Sequence, residues 1–109
     1  MTVSQLLALD SIKAISVPSP ERQIDGVYIG DLLSWVMGSA KADCAWITIM
    51  SNVNVIAVAT LADVACVILA EGVTLDGEII STAEQKGVNV LSSTLPAYEL
   101  AILLNGEMK

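Results

Sequence analysis

The sequence predicts an α/β domain with a largely parallel sheet flanked by helices. Three observations predict it. Residues 45–50 and 64–69 are short apolar runs rich in β-branched residues, the pattern of strands covered on both faces, and 88–91 reads as a third strand. A segment of helical character follows each run, at 54–62, 76–86 and 96–104. The strand starts near 45, 64 and 88 repeat at the interval of a βα unit, and such alternation gives a parallel sheet with right-handed crossovers.

The elements follow in order. Thr2, with Gln5 three positions on, forms a capping-box pattern for a first helix whose face carries Val3, Leu6 and Leu7. Residues 12–17 read as a short strand ended by Pro18 and Pro20, because proline cannot continue a ladder. Glu21, Arg22 and Gln23 read as a solvated loop, and Val27 to Ile29 as a second short strand between Gly26 and Gly30. Asp31 suits the N-cap of a helix with Leu32, Leu33, Val36 and Met37 on one apolar face and Gly38 at its end. Residues 39–43 connect it to the first long strand.

Residues 54–62 also contain Val55, Ile56, Val58 and Thr60, which suit a strand. A helix is expected because two consecutive parallel strands need a crossover between them. Asp76 caps the next helix and Gly87 stops it. Pro96 opens the last one in its first turn. The chain thus reads as one domain over 1–109: an N-terminal part, 1–43, and a βαβαβα unit, 44–109.

Composition narrows the function. Of 109 residues, 54% are hydrophobic and 16% charged, below the usual charged share of about 25%. Twelve acidic and five basic residues give a net charge of −7. Nucleic acid is excluded as a partner, since phosphate binding needs a basic face. There is no histidine, which removes His-based acid–base chemistry, Ser-His-Asp triads and histidine metal ligands. Cys44 and Cys66 are too far apart for a CxxC pair and read as reduced, buried thiols of a cytoplasmic protein. An enzyme is not predicted; if the chain were one, only Asp, Glu, Lys, Ser or Cys could act, and Cys44 or Cys66 would be the nucleophile to suspect. No metal or cofactor is expected.

No secretory signal is expected, because Met1-Thr2-Val3-Ser4 offers no basic region before an apolar run. Residues 44–62 carry no charge and could span a bilayer by length. Ser51, Asn52 and Asn54 interrupt the stretch, so it reads as two elements joined by a polar turn, with no membrane partner.

In an open parallel sheet, ligands bind beyond the C-terminal strand ends. Three polar loops are expected there: Ser51, Asn52 and Asn54 after the first long strand, Glu71 and Gly72 after the second, and Ser92, Ser93 and Thr94 after the third. Free N–H groups of the following helices would suit an anion, although the same residue types are ordinary caps and turns. Glu71 opposes a highly charged phosphate. The glycines form neither GxGxxG nor GxxxxGK[ST]. Asp76 and Glu78 read as acidic residues favoured at a helix start. Trp35 is either core or an exposed anchor for another subunit, and the apolar composition favours the anchor.

The stretch Gly26-Val27-Tyr28-Ile29-Gly30-Asp31-Leu32-Leu33-Ser34-Trp35-Val36-Met37, with Ala45-Trp46-Ile47-Thr48-Ile49 and Gly87-Val88-Asn89-Val90-Leu91-Ser92-Ser93, resembles the small stand-alone proteins of the DRTGG domain family. The resemblance implies a fold like the N-terminal domain of HPr kinase/phosphorylase. It also implies a regulatory or dimerising role, as in phosphotransacetylases and CBS-domain pyrophosphatases. Some stand-alone relatives accompany iron-only hydrogenase genes in anaerobic bacteria. The chain departs from the name-giving motif. The Asp-Arg pair would fall within 51–54, where neither occurs, and Thr-Gly-Gly at 70–72, where only Gly72 matches. The kinase phosphate loop lies in a domain that this chain lacks. The expected function is a non-catalytic regulatory or scaffolding module acting as a homodimer, with a protein partner. The alternative is a sensor of a small metabolite or nucleotide at the strand ends.

Overall fold

The computed structural model describes residues 1–108. Ten elements run in the order α1 (Val3–Leu6), β1 (Lys13–Ser16), β2 (Gly26–Ile29), α2 (Leu33–Ser39), β3 (Cys44–Thr48), α3 (Asn54–Ala62), β4 (Cys66–Leu69), α4 (Gly77–Lys86), β5 (Val90–Ser92) and α5 (Ala97–Met108). One five-stranded sheet has the order β1-β5-β4-β3-β2. Strands β2 to β5 are parallel, and β1 returns antiparallel along β5. The expected α/β class with a largely parallel sheet is what forms. Residues 54–62 are the crossover helix, and the uncharged stretch 44–62 divides into β3 and α3. Among the described residues, no helix is long and apolar enough to cross a membrane.

The order explains the layers. From β2 to β5 each strand lies beside its predecessor, always stepping the same way. Right-handed crossovers then put α2, α3 and α4 on one face. Their core contains Val36, Val55, Ile56 and Ala83 against Trp46, Val67, Leu69 and Val90. The opposite core packs Val3 and Leu6 of α1 and Leu100 and Leu104 of α5 against Ala45, Ile47, Ile68 and Leu91. Alternate residues of each strand serve alternate cores, as the pleat requires. Strands β3 and β4 are buried throughout, which is why they read as unbroken apolar runs.

Capping accounts for the helix ends. Thr2 and Gln5 form the expected capping box: Gln5 N donates to Thr2 Oγ1 at 3.1 Å and Thr2 N to Gln5 Oε1 at 2.8 Å. Helix α4 ends at Gly87, whose φ of 72° is the left-handed conformation glycine adopts without cost. Asp76 occupies the N-cap but makes no side-chain cap bond. Helix α5 runs past the expected residue 104 to Met108.

Two local expectations are corrected. Asp31 does not cap α2; the N-cap is Leu32, with no side-chain bond, because the Asp31 carboxylate is spent on β3. Of the expected apolar face Val36 is buried and Leu33 half-buried against the core, while Leu32 and Met37 stand in solvent, as does Trp35, and Gly38 lies inside the helix. The 21–23 loop is not merely solvated either. Arg22 Nη2 donates to Asp43 Oδ1 and to Asp63 Oδ1, both at 2.9 Å, and to the Asp63 carbonyl at 2.7 Å. Burial opposes its charge, but the bonds to Asp43 and Asp63 outweigh this and hold the guanidinium pKa above its ordinary value. Asp43 and Asp63 both have positive φ, 66° and 56°, a conformation that aspartate tolerates better than most residues. Arg22 therefore ties the loop before β2 to the turns that enter β3 and leave α3.

Candidate functional site

The parallel strands end on one edge of the sheet, and the polar loops predicted there are all on it. They do not converge. Two separate depressions divide them, because β2 to β5 never reverse order and no topological switch point opens between them.

The first depression, about 620 Å³, is lined by Ser51, Asn52 and Val53 of the β3–α3 loop and by Asp76, Gly77 and Glu78 at the start of α4. Asn52 Oδ1 accepts from Asn54 N at 2.9 Å, an Asx turn that shapes the loop. The lining holds two carboxylates and no base, so a phosphate is repelled there.

The second depression, about 310 Å³, joins Gly72 and Thr74 to Ser92, Ser93 and Thr94. Its remaining wall is Asp10, Ser11 and Lys13, from the turn before β1 and its first residue. The β4 and β5 loops are bonded together here: Gly72 N donates to the Ser93 carbonyl at 2.8 Å and Glu71 N to the Leu95 carbonyl at 3.0 Å. Glu71 and Gly72 reach this geometry with φ of 58° and 77°. Ser93 is buried, and its Oγ accepts from Leu95 N at 3.1 Å. Lys13 pairs with Ser92 in the β1–β5 register, which brings an ammonium to a rim rich in hydroxyls. Asn54 and Glu71 line neither depression.

Sequence reasoning missed Lys13, Asp10 and Ser11. No local signal marks them, because their position depends on β1 returning antiparallel beside β5. Asp31 was seen and given the wrong task. Its Oδ1 accepts from Thr48 Oγ1 at 2.8 Å and from Ile49 N at 2.9 Å, pinning the loop after β2 to the end of β3. Asp31→Ala is expected to cost about 1–2 kcal/mol, the scale of bonds to a charged but solvent-facing acceptor. Asp31→Asn, which keeps the oxygen, should recover most of it in urea denaturation.

Both thiols are free and buried. Burial pushes the Cys66 thiol up to about 12, with the neighbouring Cys44 adding to the rise and Arg22 opposing it. Burial also raises Cys44, against backbone bonds at Lys41 and at its own amide. A nucleophilic thiolate is therefore disfavoured at both. Iodoacetamide at pH 8 should leave both unmodified in the folded protein and alkylate both in urea. The unfolded thiol pKa is about 8.5, so the folded state keeps a proton that the unfolded chain loses above that pH. Stability is then full below pH 8.5 and declines as pH climbs toward about 12. Urea melts from pH 8 to 10.5 should show a decline that is smaller in Cys66→Ala. Among the described residues, no group of three or more Cys, Asp or Glu could hold a metal ion.

The comparisons agree with this architecture. A family model described as the DRTGG domain matches residues 19–106. No curated protein matches the chain. Among solved structures, similarity is found to the CBS and DRTGG domains of the regulatory region of Clostridium perfringens pyrophosphatase, complexed with the activator diadenosine tetraphosphate. The TM-score is 0.74 at 16% sequence identity, over 94% of this chain and 45% of that one. At that identity the likeness is one of fold, and this chain spans under half the length of that structure.

Proposed function

The chain belongs to the DRTGG domain family, and on that premise we propose that it is a non-catalytic regulatory or scaffolding module that works as a cytoplasmic homo-oligomer. The observation that carries this reading is the apolar surface. Nine large hydrophobic side chains among the described residues are at least 45% exposed, led by Tyr98, Leu61 and Trp35. Single exposed hydrophobes are ordinary, but this many on a small domain mark a surface made to be covered. The absence of histidine and the protonated thiols support a role without covalent catalysis. Sedimentation equilibrium of the purified chain tests it: a dimer or larger assembly is expected, and a strict monomer at hundreds of micromolar would overturn it.

One observation favours a second reading, a sensor of a small anionic metabolite or nucleotide. The depression of Gly72, Ser92, Ser93 and Thr94 has one cation, Lys13, and one carboxylate, Asp10, on its rim, whereas Ser51 and Asn52 sit with two carboxylates and no cation. The similar pyrophosphatase regulatory region was solved with a dinucleotide polyphosphate. Calorimetry with diadenosine tetraphosphate, ATP and acetyl phosphate tests this. Binding lost in Lys13→Ala is the expected result, and no heat up to millimolar concentration would exclude those ligands.

A further inference from the structure

The layer formed by α2, α3 and α4 carries both halves of an apolar joint. The projecting half is Trp35. Helix α2 is anchored inward by Val36, with Leu33 half-buried against the same core, while Trp35 is 69% and Leu32 62% exposed. The receiving half is the groove between α3 and α4, about 460 Å³, walled by Val53, Ile56, Ala57 and Leu61 on one side and Thr82 and Lys86 on the other.

Helix α3 points to what fills that groove. A helix that faces water normally shows a polar stripe. Residues 54–62 contain no charge, and their only polar members are Asn54 and Thr60. The exposed positions are Asn54, Ala57, Thr60 and Leu61, the last 71% exposed. An outer row with no charged residue leaves apolar area to cover.

Charge selects the occupant. Two copies of a chain with net charge −7 repel at most approaches. Residues 32–40 and 44–62 carry no charge, and no carboxylate lines the α3–α4 groove, since Glu78 and Glu84 of α4 lie outside its lining. The one charged wall of the groove is Lys86, of favourable sign. The opposite layer also exposes Tyr98 and Ile102, but α5 carries Glu99 and Glu107 and no cation to offset them.

We infer that two copies associate through the α2–α3–α4 layer, each Trp35 entering the α3–α4 groove of the other. Projection and groove lie on one face of every copy, so the contact is isologous and closes at two. Tryptophan buried at the centre of such a contact is among the residues enriched as hot spots. The inference rests on the homo-oligomer reading and names the surface that serves it.

Sedimentation equilibrium on the full chain tests it, comparing the parent with Trp35→Glu, Leu61→Glu and Ile102→Glu, and circular dichroism checks each fold. The parent and Ile102→Glu are expected to be dimers. Trp35→Glu and Leu61→Glu should weaken dimerisation by at least about 30-fold, the scale of losing a hot spot. Should a glutamate variant fail to fold, Trp35→Ala and Leu61→Ala read the same positions. Tryptophan quenching gives a second signal. Trp46 is fully buried, so acrylamide reports on Trp35: protected in the dimer, and quenched on dilution or in Leu61→Glu. A dimer that survives substitution at either position, or that only Ile102→Glu dissolves, overturns the joint while the homo-oligomer reading stands. A monomeric parent overturns both.

Discussion

Trp46→Ala should lower the free energy of unfolding by about 3–5 kcal/mol, the range for emptying a buried aromatic site. A domain of this size has about 5–15 kcal/mol in total, so the variant is expected to be marginally folded at 37 °C. Trp46 lies in β3, an interior strand between β4 and β2, and is 0% exposed. It fills the core under α2 and α3. Its indole Nε1 also donates to the Gly30 carbonyl at 2.8 Å, which fixes the chain as it leaves β2. Glycine at 30 also leaves room for Tyr28: a Cβ there would come within 2.8 Å of its ring. Trp46→Phe keeps most of the volume and leaves that carbonyl without the indole, so a smaller loss of about 1–2 kcal/mol is expected. Urea denaturation monitored by circular dichroism reads both. A loss under about 1 kcal/mol for Trp46→Ala would contradict the packing described.

Asn89→Asp changes one atom type and is expected to cost about 2–4 kcal/mol, the penalty for two buried acceptors left without donors. Asn89 is 2% exposed. Its Nδ2 donates to the Ser19 carbonyl at 2.8 Å and to the Ala65 carbonyl at 3.0 Å, and its Oδ1 accepts from Ser19 N at 2.9 Å. The amide thus sews the Pro18–Pro20 turn to the entrance of β4. A carboxylate turns an oxygen toward both carbonyls. Burial and those carbonyls raise the folded-state pKa of the introduced group above the unfolded value of about 3.9. The sign follows: the variant is least impaired below pH 3.9 and loses further stability as pH rises through the folded-state value. Urea melts of variant and parent at pH 4 and pH 7 should show a larger gap at pH 7. A gap that shrinks toward neutrality would refute the assignment. Asn89→Ala, which adds no charge, should show a gap nearly independent of pH.

These two residues mark how far the sequence could be read. Residues 44–48 and 66–69 were legible as strands because burial on both faces leaves no polar alternation. The capping box at Thr2 and the glycine stop at 87 were legible because each acts within a few residues. Asn89 was readable only as a strand residue. Its partners Ser19 and Ala65 are 70 and 24 positions away, and no local pattern encodes them. Arg22 looked like a solvated charge for the same reason, since Asp43 and Asp63 meet it only after the sheet forms. Asp31 fits an N-cap by local chemistry. Tertiary contact prevailed because the end of β3 offers it two donors.

The candidate site follows the same division. Placing Ser51, Asn52, Gly72, Ser92, Ser93 and Thr94 at the carboxyl ends of strands needed only the βα rhythm. Their separation into an acidic depression and a lysine-rimmed one needed the strand order, and above all the antiparallel return of β1 beside β5. By itself the sequence determined the α/β class, the parallel strands and the family, since hydrophobic period, caps and short motifs are local. The tertiary structure alone decided which polar loops share a wall, which charges are paired and which apolar side chains stay in water. Those outcomes depend on contacts between residues far apart in the chain, and hydrophobic patterning sets that a face is buried without naming its partner.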